Sequence, residues 1–412
     1  MELRASILST FTVCLALPFT VGIARSQPAY KVLNLGTAGG TDGVGYNILN
    51  SRLVWVGGYG TLADGVQHAL EWRGEGSAID LGTLGSSQIV LRSALYGTKS
   101  GFSEIAKDDP LEQHFCGDLH ICLPFVLQAG SMVRLPTLGG YNGLAFDDNG
   151  PVGQIVGVAQ NGTLDNTCPA GIQQQHFVPA IWKNQKAKQI PLLPGDVDGE
   201  AFGINSIGEV VGTSGDCLEP INAWLWTGGA NLVNLGNLGG PAENEAFSVN
   251  NYSQVTGASE TSALIQHAFL WQKGVMSDLG TLPGDYYSYG YSINNLGQIV
   301  GESCSIIGSC RAFLWESGTM YDINTLIPAD SGLDLLGANA IDDFENIVGF
   351  AYDASTGTFP AFSAILTGSN ASVIVPAVDV QAEGRVSLPD VLGAPFVKRG
   401  KTAHYGSRRL QP

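Results

Sequence analysis

Short apolar stretches separated by turn residues recur along almost the whole chain. In one unit, residues 201–205 and 209–213 flank an Asn-x-x-Gly turn, and residues 222–226 and 231–236 flank a Gly-Gly turn. Asn and Gly suit tight turns because they tolerate positive φ or bond their own backbone, so each pair of stretches is typical of a β-hairpin. The pattern therefore predicts a repeating unit of four short antiparallel strands.

Three phrases mark this unit along the chain. The first is His-Ala-Phe-Leu-Trp at residues 267–271, and the second is Asp-Leu-Gly-Thr-Leu at residues 278–282. The third begins with Asn and ends in an apolar triplet closed by Gly, as in residues 205–212. From Gly157 to Gly349 the closing glycines are 55, 45, 44 and 48 residues apart. That period is typical of one β-propeller blade and is too long for ankyrin or leucine-rich repeats.

The ends of the repeat region complement each other. A lone fourth strand stands at residues 30–36, whereas the last unit, residues 338–366, supplies only three strands. If the amino-terminal strand completes the last blade, no sheet edge faces solvent within the ring. The sequence therefore predicts an all-β fold: a single β-propeller of seven four-stranded blades, closed by the N-terminal strand. The seven fourth strands contain Leu35, Leu81, Leu135, Leu192, Leu235, Leu279 and Ile323.

The second unit leaves alternatives open. Residues 88–97 lack the Asn-x-x-Gly turn, and residues 98–123 form a long insertion, so a six-bladed propeller is one alternative. An open solenoid is the other, because a solenoid needs no complementary first and last strands.

The repeated phrases resemble those of the bacterial HAF-type extracellular repeat family. Residues 267–271 and 278–282, followed by Ile-Asn-x-x-Gly-Gln-Ile-Val-Gly at residues 293–301, carry the resemblance, which covers nearly all of residues 30–367. It implies export and a repeat fold, and it brings no catalytic residues to this chain. The chain departs from the pattern in its second unit and where the initial His is lost, at Leu123, Val178, Asn222, Arg311 and Pro360.

The two ends of the chain differ from the repeat domain, residues 27–367. Residues 1–26 contain Arg4, an apolar run and Ala24-Arg25-Ser26, which together are typical of a secretory signal peptide. A retained signal anchor is the alternative, although polar residues and Pro18 interrupt the run. Residues 368–412 are basic and lack the phrases, so we expect a poorly ordered tail. The predicted location is secreted or periplasmic, with no membrane span after cleavage.

Composition and charge narrow the partners. Gly accounts for 55 of 412 residues, and only 14% of residues are charged, against a usual share of about 25%. Residues 27–367 carry 33 acidic and 12 basic side chains, a net charge of −21. Such a body repels phosphate backbones, so we expect no nucleic acid partner. An extracellular glycan, a protein or a cationic ligand is the expected partner of what we expect to be a monomer.

Six cysteines follow the signal peptide, and all of them fall in connections between second and third strands. An even number of cysteines in an exported chain indicates disulfides. Blade geometry favours the pairs Cys116–Cys122, Cys168–Cys217 and Cys304–Cys310. A zinc site at Cys116 and Cys122 with His120 is the alternative, but a six-residue spacing is unlike that of zinc hairpins, and we predict no metal there.

The connections between second and third strands hold most of the length variation of the repeat. The connections from each fourth strand to the next blade lie on the same face as these variable loops and carry acidic residues. A ring of carboxylates near the channel could bind a cationic ligand or calcium, which prefers oxygen ligands. A solvated acidic rim is the alternative, because the chain has no Asp-x-Asp-x-Asp-Gly loop; no other cofactor is predicted. The candidate ligand-binding residues are Asp196, Asp198, Glu200, Glu243, Glu245 and Asp285.

Two functions remain open at this point. Variable loops on one rigid face favour a secreted binding or adhesion module. The alternative is a polysaccharide hydrolase or lyase whose acidic residues face each other across the central channel. The chain contains no nucleophile elbow, P-loop or dinucleotide fingerprint, so no catalytic residue is assigned.

Overall fold

A computed structural model describes residues 27–370, except residues 77, 93–98, 114, 117–118, 169–173 and 218. The predicted signal peptide and the tail beyond residue 370 lie outside the described residues. The described part contains 28 β-strands and two short 3-10 helices, Gly150–Val152 and Ile323–Thr325. No helix in this part is long and apolar enough to cross a membrane.

The strands form seven antiparallel four-stranded sheets, which are the blades of a propeller. Blade 1 contains β2 (Gly39–Asn50), β3 (Trp55–Leu62), β4 (Gln67–Trp72) and β5 (Ala78–Gly82). Blade 2 contains β6 (Gly85–Leu91), β7 (Lys99–Asp108), β8 (His120–Gln128) and β9 (Ser131–Arg134). Blade 3 contains β10 (Gly143–Asp148), β11 (Gln154–Leu164), β12 (Gln175–Lys183) and β13 (Lys186–Gln189). Blade 4 contains β14 (Asp198–Ile204), β15 (Val210–Asp216), β16 (Glu219–Trp226) and β17 (Leu232–Asn234).

The remaining three blades follow the same order. Blade 5 contains β18 (Glu245–Val249), β19 (Val255–Glu260), β20 (Gln266–Gln272) and β21 (Val275–Asp278). Blade 6 contains β22 (Tyr287–Ile293), β23 (Ile299–Cys304), β24 (Cys310–Glu316) and β25 (Thr319–Asp322). Blade 7 contains β26 (Leu333–Ile341), β27 (Ile347–Asp353), β28 (Ala361–Asn370) and β1 (Gln27–Gly36).

The first and last strands of the chain close the ring. β1 pairs antiparallel with β28, from Gln27 opposite Asn370 to Gly36 opposite Ala361. Its side chains enter the core, since Tyr30 is 2% exposed and Leu35 is 1% exposed. The predicted seven-bladed, N-terminally closed propeller is confirmed. The six-bladed alternative is wrong because the second unit forms a complete blade, and the open solenoid is wrong because the ring is closed.

One backbone irregularity recurs in the innermost strands of the blades. In six blades this strand has an extra residue, a β-bulge, at the same position opposite the second strand. The extra residues are Tyr46, Phe146, Phe202, Phe247, Tyr291 and Asn339.

A glycine on the second strand lies against the innermost strand in all seven blades. A Cβ there would stand closer than 3.0 Å to a backbone carbonyl oxygen of that strand, which real Cβ atoms essentially never do. This close approach explains why the apolar triplet of the repeat ends in Gly. The glycines are Gly58, Gly101, Gly157, Gly212, Gly257, Gly301 and Gly349.

The first and second phrases lie on the third and fourth strands of a blade, where their side chains contact each other. His267 Nδ1 lies 2.9 Å from Asp278 Oδ1, and His68 Nδ1 lies 2.8 Å from Asp80 Oδ1. The His of the first phrase therefore bonds the Asp of the second phrase across neighbouring strands. In blade 6, Arg311 takes the place of this His and reaches Asp322 at 2.9 Å.

The predicted disulfides are confirmed. Cys116–Cys122 closes the loop of blade 2, and Cys304–Cys310 closes the turn between β23 and β24. Cys168–Cys217 joins the loop of blade 3 to that of blade 4. The third bridge therefore fixes the relative position of two blades on one face of the ring.

Candidate functional site

A cavity of about 450 Å³ opens at the centre of the face that carries the turns between first and second strands. We call this the turn face, and the opposite face, which carries the variable loops, the loop face. The bulge residues Phe146, Phe202, Phe247 and Tyr291 line the cavity, and each of them is at most 9% exposed. They form the apolar floor of the cavity. The turns follow them along the same strands and therefore lie nearer to the turn face.

The floor is a continuous arc of rings. The ring centroids of Phe146 and Phe202 are 5.4 Å apart, those of Phe202 and Phe247 are 5.6 Å apart, and those of Phe247 and Tyr291 are 5.8 Å apart. Such separations are typical of favourable aromatic pairs. The Arg92 guanidinium extends the arc, since its Cζ lies 4.2 Å from the Tyr46 ring and 5.5 Å from the Phe146 ring.

The rim of the cavity is a ladder of turn residues that joins successive blades. Asn205 Nδ2 donates to the Asn250 carbonyl at 2.9 Å, and Asn250 Nδ2 donates to the Asn294 carbonyl at the same distance. Asn294 Nδ2 donates to the Asp342 carbonyl at 3.0 Å. Each Asn also folds its own turn, as when Asn205 Oδ1 accepts from Glu209 N at 2.9 Å. The turn Asn that begins the third phrase therefore builds a fixed rim.

Asp147 is an ionisable side chain in the cavity wall. It follows the bulge of β10, and its two oxygens accept from Ile204 N at 3.0 Å and from Asp148 N at 2.9 Å. Ser248 and Ser292 make the same bridge between blades from the equivalent positions. Burial raises the pKa of Asp147 to about 8, and the charge of Asp148 adds to this rise, whereas the backbone donors and Arg92 oppose it.

This shift predicts a pH-dependent stability. An unfolded Asp has a pKa of about 3.9, so between about pH 4 and pH 8 the native state binds more protons, and the stabilisation is lost as pH rises through that window. Serine occupies the equivalent position in blades 5 and 6. In Asp147→Ser, the loss of stability with rising pH should therefore vanish. Urea unfolding of both proteins at pH 5, 7 and 9 should show the variant gaining relative stability with pH.

Ser248→Ala is the matched control for this experiment, because Ser248 makes the equivalent bridge without a titrating group. Its stability relative to the native protein should stay constant over the same pH range. A constant difference for Asp147→Ser as well would contradict the proposed origin of the pH dependence.

Asn339 occupies the bulge position of blade 7, where five other blades have an aromatic residue. Its Nδ2 donates to the Gly45 carbonyl at 3.0 Å, and the side chain lines the cavity. Its Oδ1 is buried and has no hydrogen-bond partner among the residues that the structure describes. A buried acceptor without a donor is costly, so this atom favours a ligand that carries a donor group.

The six acidic residues proposed from the sequence are all described, and none of them lines this cavity. They lie at the loop-face ends of the innermost strands or in the connections that lead to them. Asp196 accepts from Ser214 Oγ at 2.5 Å, Glu243 accepts from Gln266 Nε2 at 3.1 Å, and Asp285 pairs with Arg311 at 2.7 Å. A calcium or cationic site formed by Asp196, Asp198, Glu200, Glu243, Glu245 and Asp285 stays a prediction.

Sequence reasoning missed the cavity. A small residue followed by an aromatic residue precedes the third phrase in five units, so a periodic signal was present. It does not show that the aromatic residue is the extra residue of a bulge. The five dipeptides are Gly45-Tyr46, Ala145-Phe146, Ala201-Phe202, Ala246-Phe247 and Gly290-Tyr291.

The architecture places the chain among the seven-bladed β-propellers. No known family profile matches the chain, and no curated protein matches it by sequence.

The solved structures that are similar to the chain include the following three. One is from a study of two prolyl endopeptidases, with 9% identity and a TM-score of 0.51, covering 81% of this chain and 51% of that chain. A puromycin hydrolase mutant has 12% identity and a TM-score of 0.47, with coverages of 83% and 55%. The β-propeller domain of the Trilobed protease from Pyrococcus furiosus has 9% identity and a TM-score of 0.46, with coverages of 84% and 100%. The chain spans about half the length of the first two, and at these identities the similarity concerns the fold alone.

Proposed function

We propose that this chain is an exported protein of the HAF repeat type that acts as a binding module and holds a neutral sugar unit of an extracellular glycan in its central cavity. The observation that carries the proposal is the aromatic floor beneath a polar rim. The cavity of about 450 Å³ falls within the range of small-ligand sites, roughly 300 to 1,000 Å³.

The chemistry of the wall suits a sugar. The floor of Phe146, Phe202 and Phe247 offers an apolar surface to the C–H face of a pyranose ring. Asn339 Oδ1 offers an acceptor for a hydroxyl group, and the Arg92 guanidinium lies in the same wall. A neutral ligand therefore finds both an apolar surface and hydrogen-bonding groups.

The charges of the wall disfavour an acidic ligand. Besides Arg92, the described side chains of the wall that can carry a charge near neutral pH are four carboxyl groups. Even with Asp147 protonated, the other carboxylates outnumber the guanidinium, so an anion would be repelled. The four residues are Asp147, Asp148, Asp342 and Asp343.

The same carboxyl groups explain why we propose binding without cleavage. Glycoside hydrolysis usually needs two carboxyl groups that flank the scissile bond. Asp342 instead accepts from the backbone of Phe344 and Asn346 and folds its turn, and Asp343 accepts from Asn295. Asp147 bridges two blades. The hydrogen bonds of these three carboxyl groups hold the rim in place, so we propose that the cavity retains a ligand without cleaving it.

The proposal of export has separate support. Three disulfides lie in the loops of blades 2, 3, 4 and 6, and structural disulfides persist in oxidising compartments. The leader-like sequence of residues 1–26 agrees with this location.

A glycan array followed by calorimetry tests the proposed function. The protein starting at residue 27 should retain a neutral glycan, and Asn339→Ala should bind it about tenfold more weakly because one hydrogen bond is lost. Glu243→Gln, a loop-face substitution at a residue that bonds Gln266, is the control and should bind as the native protein does.

Two results would contradict this proposal. Loss of glycan binding in Glu243→Gln with unchanged binding in Asn339→Ala would move the site to the loop face. Release of reducing ends or unsaturated products by the pure protein would show cleavage.

A further inference from the structure

A second cluster of polar side chains lies on the loop face, between blades 3 and 4 and away from the cavity. Asp165 follows β11, His176 lies near the start of β12, and Asp198 is the first residue of β14. One nitrogen of His176 and one oxygen of each carboxylate all lie within 4.8 Å of one another. Three elements of two blades therefore converge on one point.

The carboxylates are deeply buried, and the imidazole opens the cluster to solvent. The side chains of Asp165 and Asp198 are 0% exposed, whereas that of His176 is 20% exposed. His176 Nδ1 lies 3.1 Å from Asp198 Oδ1 and 3.7 Å from Asp165 Oδ1. An ion could therefore enter along the imidazole.

Each carboxylate has one occupied and one unoccupied oxygen. Asp198 Oδ1 also accepts from Phe177 N at 3.0 Å, and Asp165 Oδ1 accepts from Thr167 N at 2.7 Å. The Oδ2 atoms of both residues are buried and accept no hydrogen bond from a third residue in the described part of the chain, and the two carboxyl groups lie within hydrogen-bonding reach of each other. Two buried carboxylates this close repel each other unless positive charge lies between them.

The surrounding structure holds the cluster in place. Thr167 fixes the Asp165 carboxylate through both its backbone N and its Oγ1, the latter at 2.6 Å. The Cys168–Cys217 disulfide, three residues beyond Asp165, ties this loop to blade 4, which carries Asp198. The donor atoms are thus positioned before any ligand binds.

We propose that Asp165, His176 and Asp198 bind one divalent transition-metal ion, for which zinc is the best match. Zinc binds imidazole nitrogen together with carboxylate oxygen, and three protein ligands leave a fourth position for water or a further ligand. Calcium and magnesium prefer sites made of oxygen atoms alone, so the imidazole disfavours them. The site lies outside the sugar cavity and does not depend on the function proposed for it.

Calorimetry with zinc chloride tests the site. The chain starting at residue 27, with its disulfides intact, is first dialysed against a chelator and then titrated at pH 7. We expect one zinc ion per chain. His176→Ala should weaken zinc binding by at least about 100-fold, because changes to residues that only orient a metal ligand already cost roughly 10- to 100-fold.

His267→Ala is the matched control. His267 has nearly the same exposure, 22%, and its Nδ1 also lies 2.9 Å from a carboxylate, but among the described residues it pairs with a single acid, Asp278. The control should bind zinc as the native protein does. Zinc should also raise the unfolding temperature of the native protein and of His267→Ala, and not that of His176→Ala.

Three results would overturn the proposal: no zinc binding at millimolar zinc, equal loss in His176→Ala and His267→Ala, or tight calcium binding without zinc binding. Any of these results would mean that a proton shared between the Asp165 and Asp198 carboxylates, and not a metal ion, stabilises the pair. Circular dichroism checks that every variant is folded, and His176→Gln, which keeps more of the side-chain volume, replaces His176→Ala if the latter is not.

Discussion

Deletion of β1, residues 27–36, should leave the protein mostly unfolded. The deletion exposes the edge of β28 along its whole length and removes Tyr30 and Leu35 from two core clusters. Full burial of a large apolar side chain stabilises by roughly 1.5 to 3 kcal/mol, so these two residues and the lost strand pairing should cost about 5 kcal/mol or more. Because domains are usually stable by only about 5 to 15 kcal/mol, far-UV circular dichroism and urea unfolding should show the loss directly.

A circular permutant separates ring closure from the position of β1 in the chain. Gln27 pairs with Asn370, so a short Gly-Ser linker can join these two ends and make residues 27–36 the last strand of a chain that begins at residue 37. This permutant should unfold at nearly the same urea concentration as the native protein. A native-like transition in the β1 deletion, or an unfolded permutant, would show that the strand does not act by closing the ring.

The blade count could be predicted from the sequence because the fourth-strand phrase survives in all seven units. The second blade shows where this reasoning stopped. Its closing glycine is Gly101, which follows Lys99 and Ser100 instead of an apolar pair, so the third phrase could not be recognised there. The structure gives the reason for the glycine, since a Cβ at this position would meet the Val90 carbonyl. The need for Gly arises from the close approach of two strands, so it does not determine which residues precede the glycine in the sequence.

The candidate sites were harder to predict, because they depend on which side chains different blades bring together. Variation in loop length directed attention to the loop face. The bulge adds one residue at the same position in six of the seven blades, so it does not change the spacing of the repeat there and gives no signal of its own. Asp165 and Asp198 are 33 positions apart and belong to different blades, so their spacing carries no metal-binding pattern. Among the sequence observations, only the predicted Cys168–Cys217 disulfide linked the loop of blade 3 that follows Asp165 to blade 4, which contains Asp198.

Gly257→Ala should destabilise the protein by about 3 kcal/mol or more. A Cβ there would stand closer than 3.0 Å to the Glu245 carbonyl oxygen and to the Ala246 Cα, both of which belong to the backbone of β18. Overpacking a well-ordered core typically costs about 1 to 3 kcal/mol, and a backbone held in a ladder cannot move aside as a side chain can. The bulge that places Phe247 in the cavity floor lies at the same point, so the added methyl group should also disturb the ligand site.

Gly274→Ala measures the part of this effect that is due to the loss of glycine itself. Gly274 lies in the turn between β20 and β21 with a φ of +84° and open space around its Cα, so Ala there should cost only roughly 1 kcal/mol through backbone strain. Urea unfolding of both variants gives the comparison. Equal destabilisation would contradict the steric explanation of the repeated glycine. A larger loss in Gly257→Ala would show that the close approach of the two strands, and not turn formation, requires Gly at this position of the repeat.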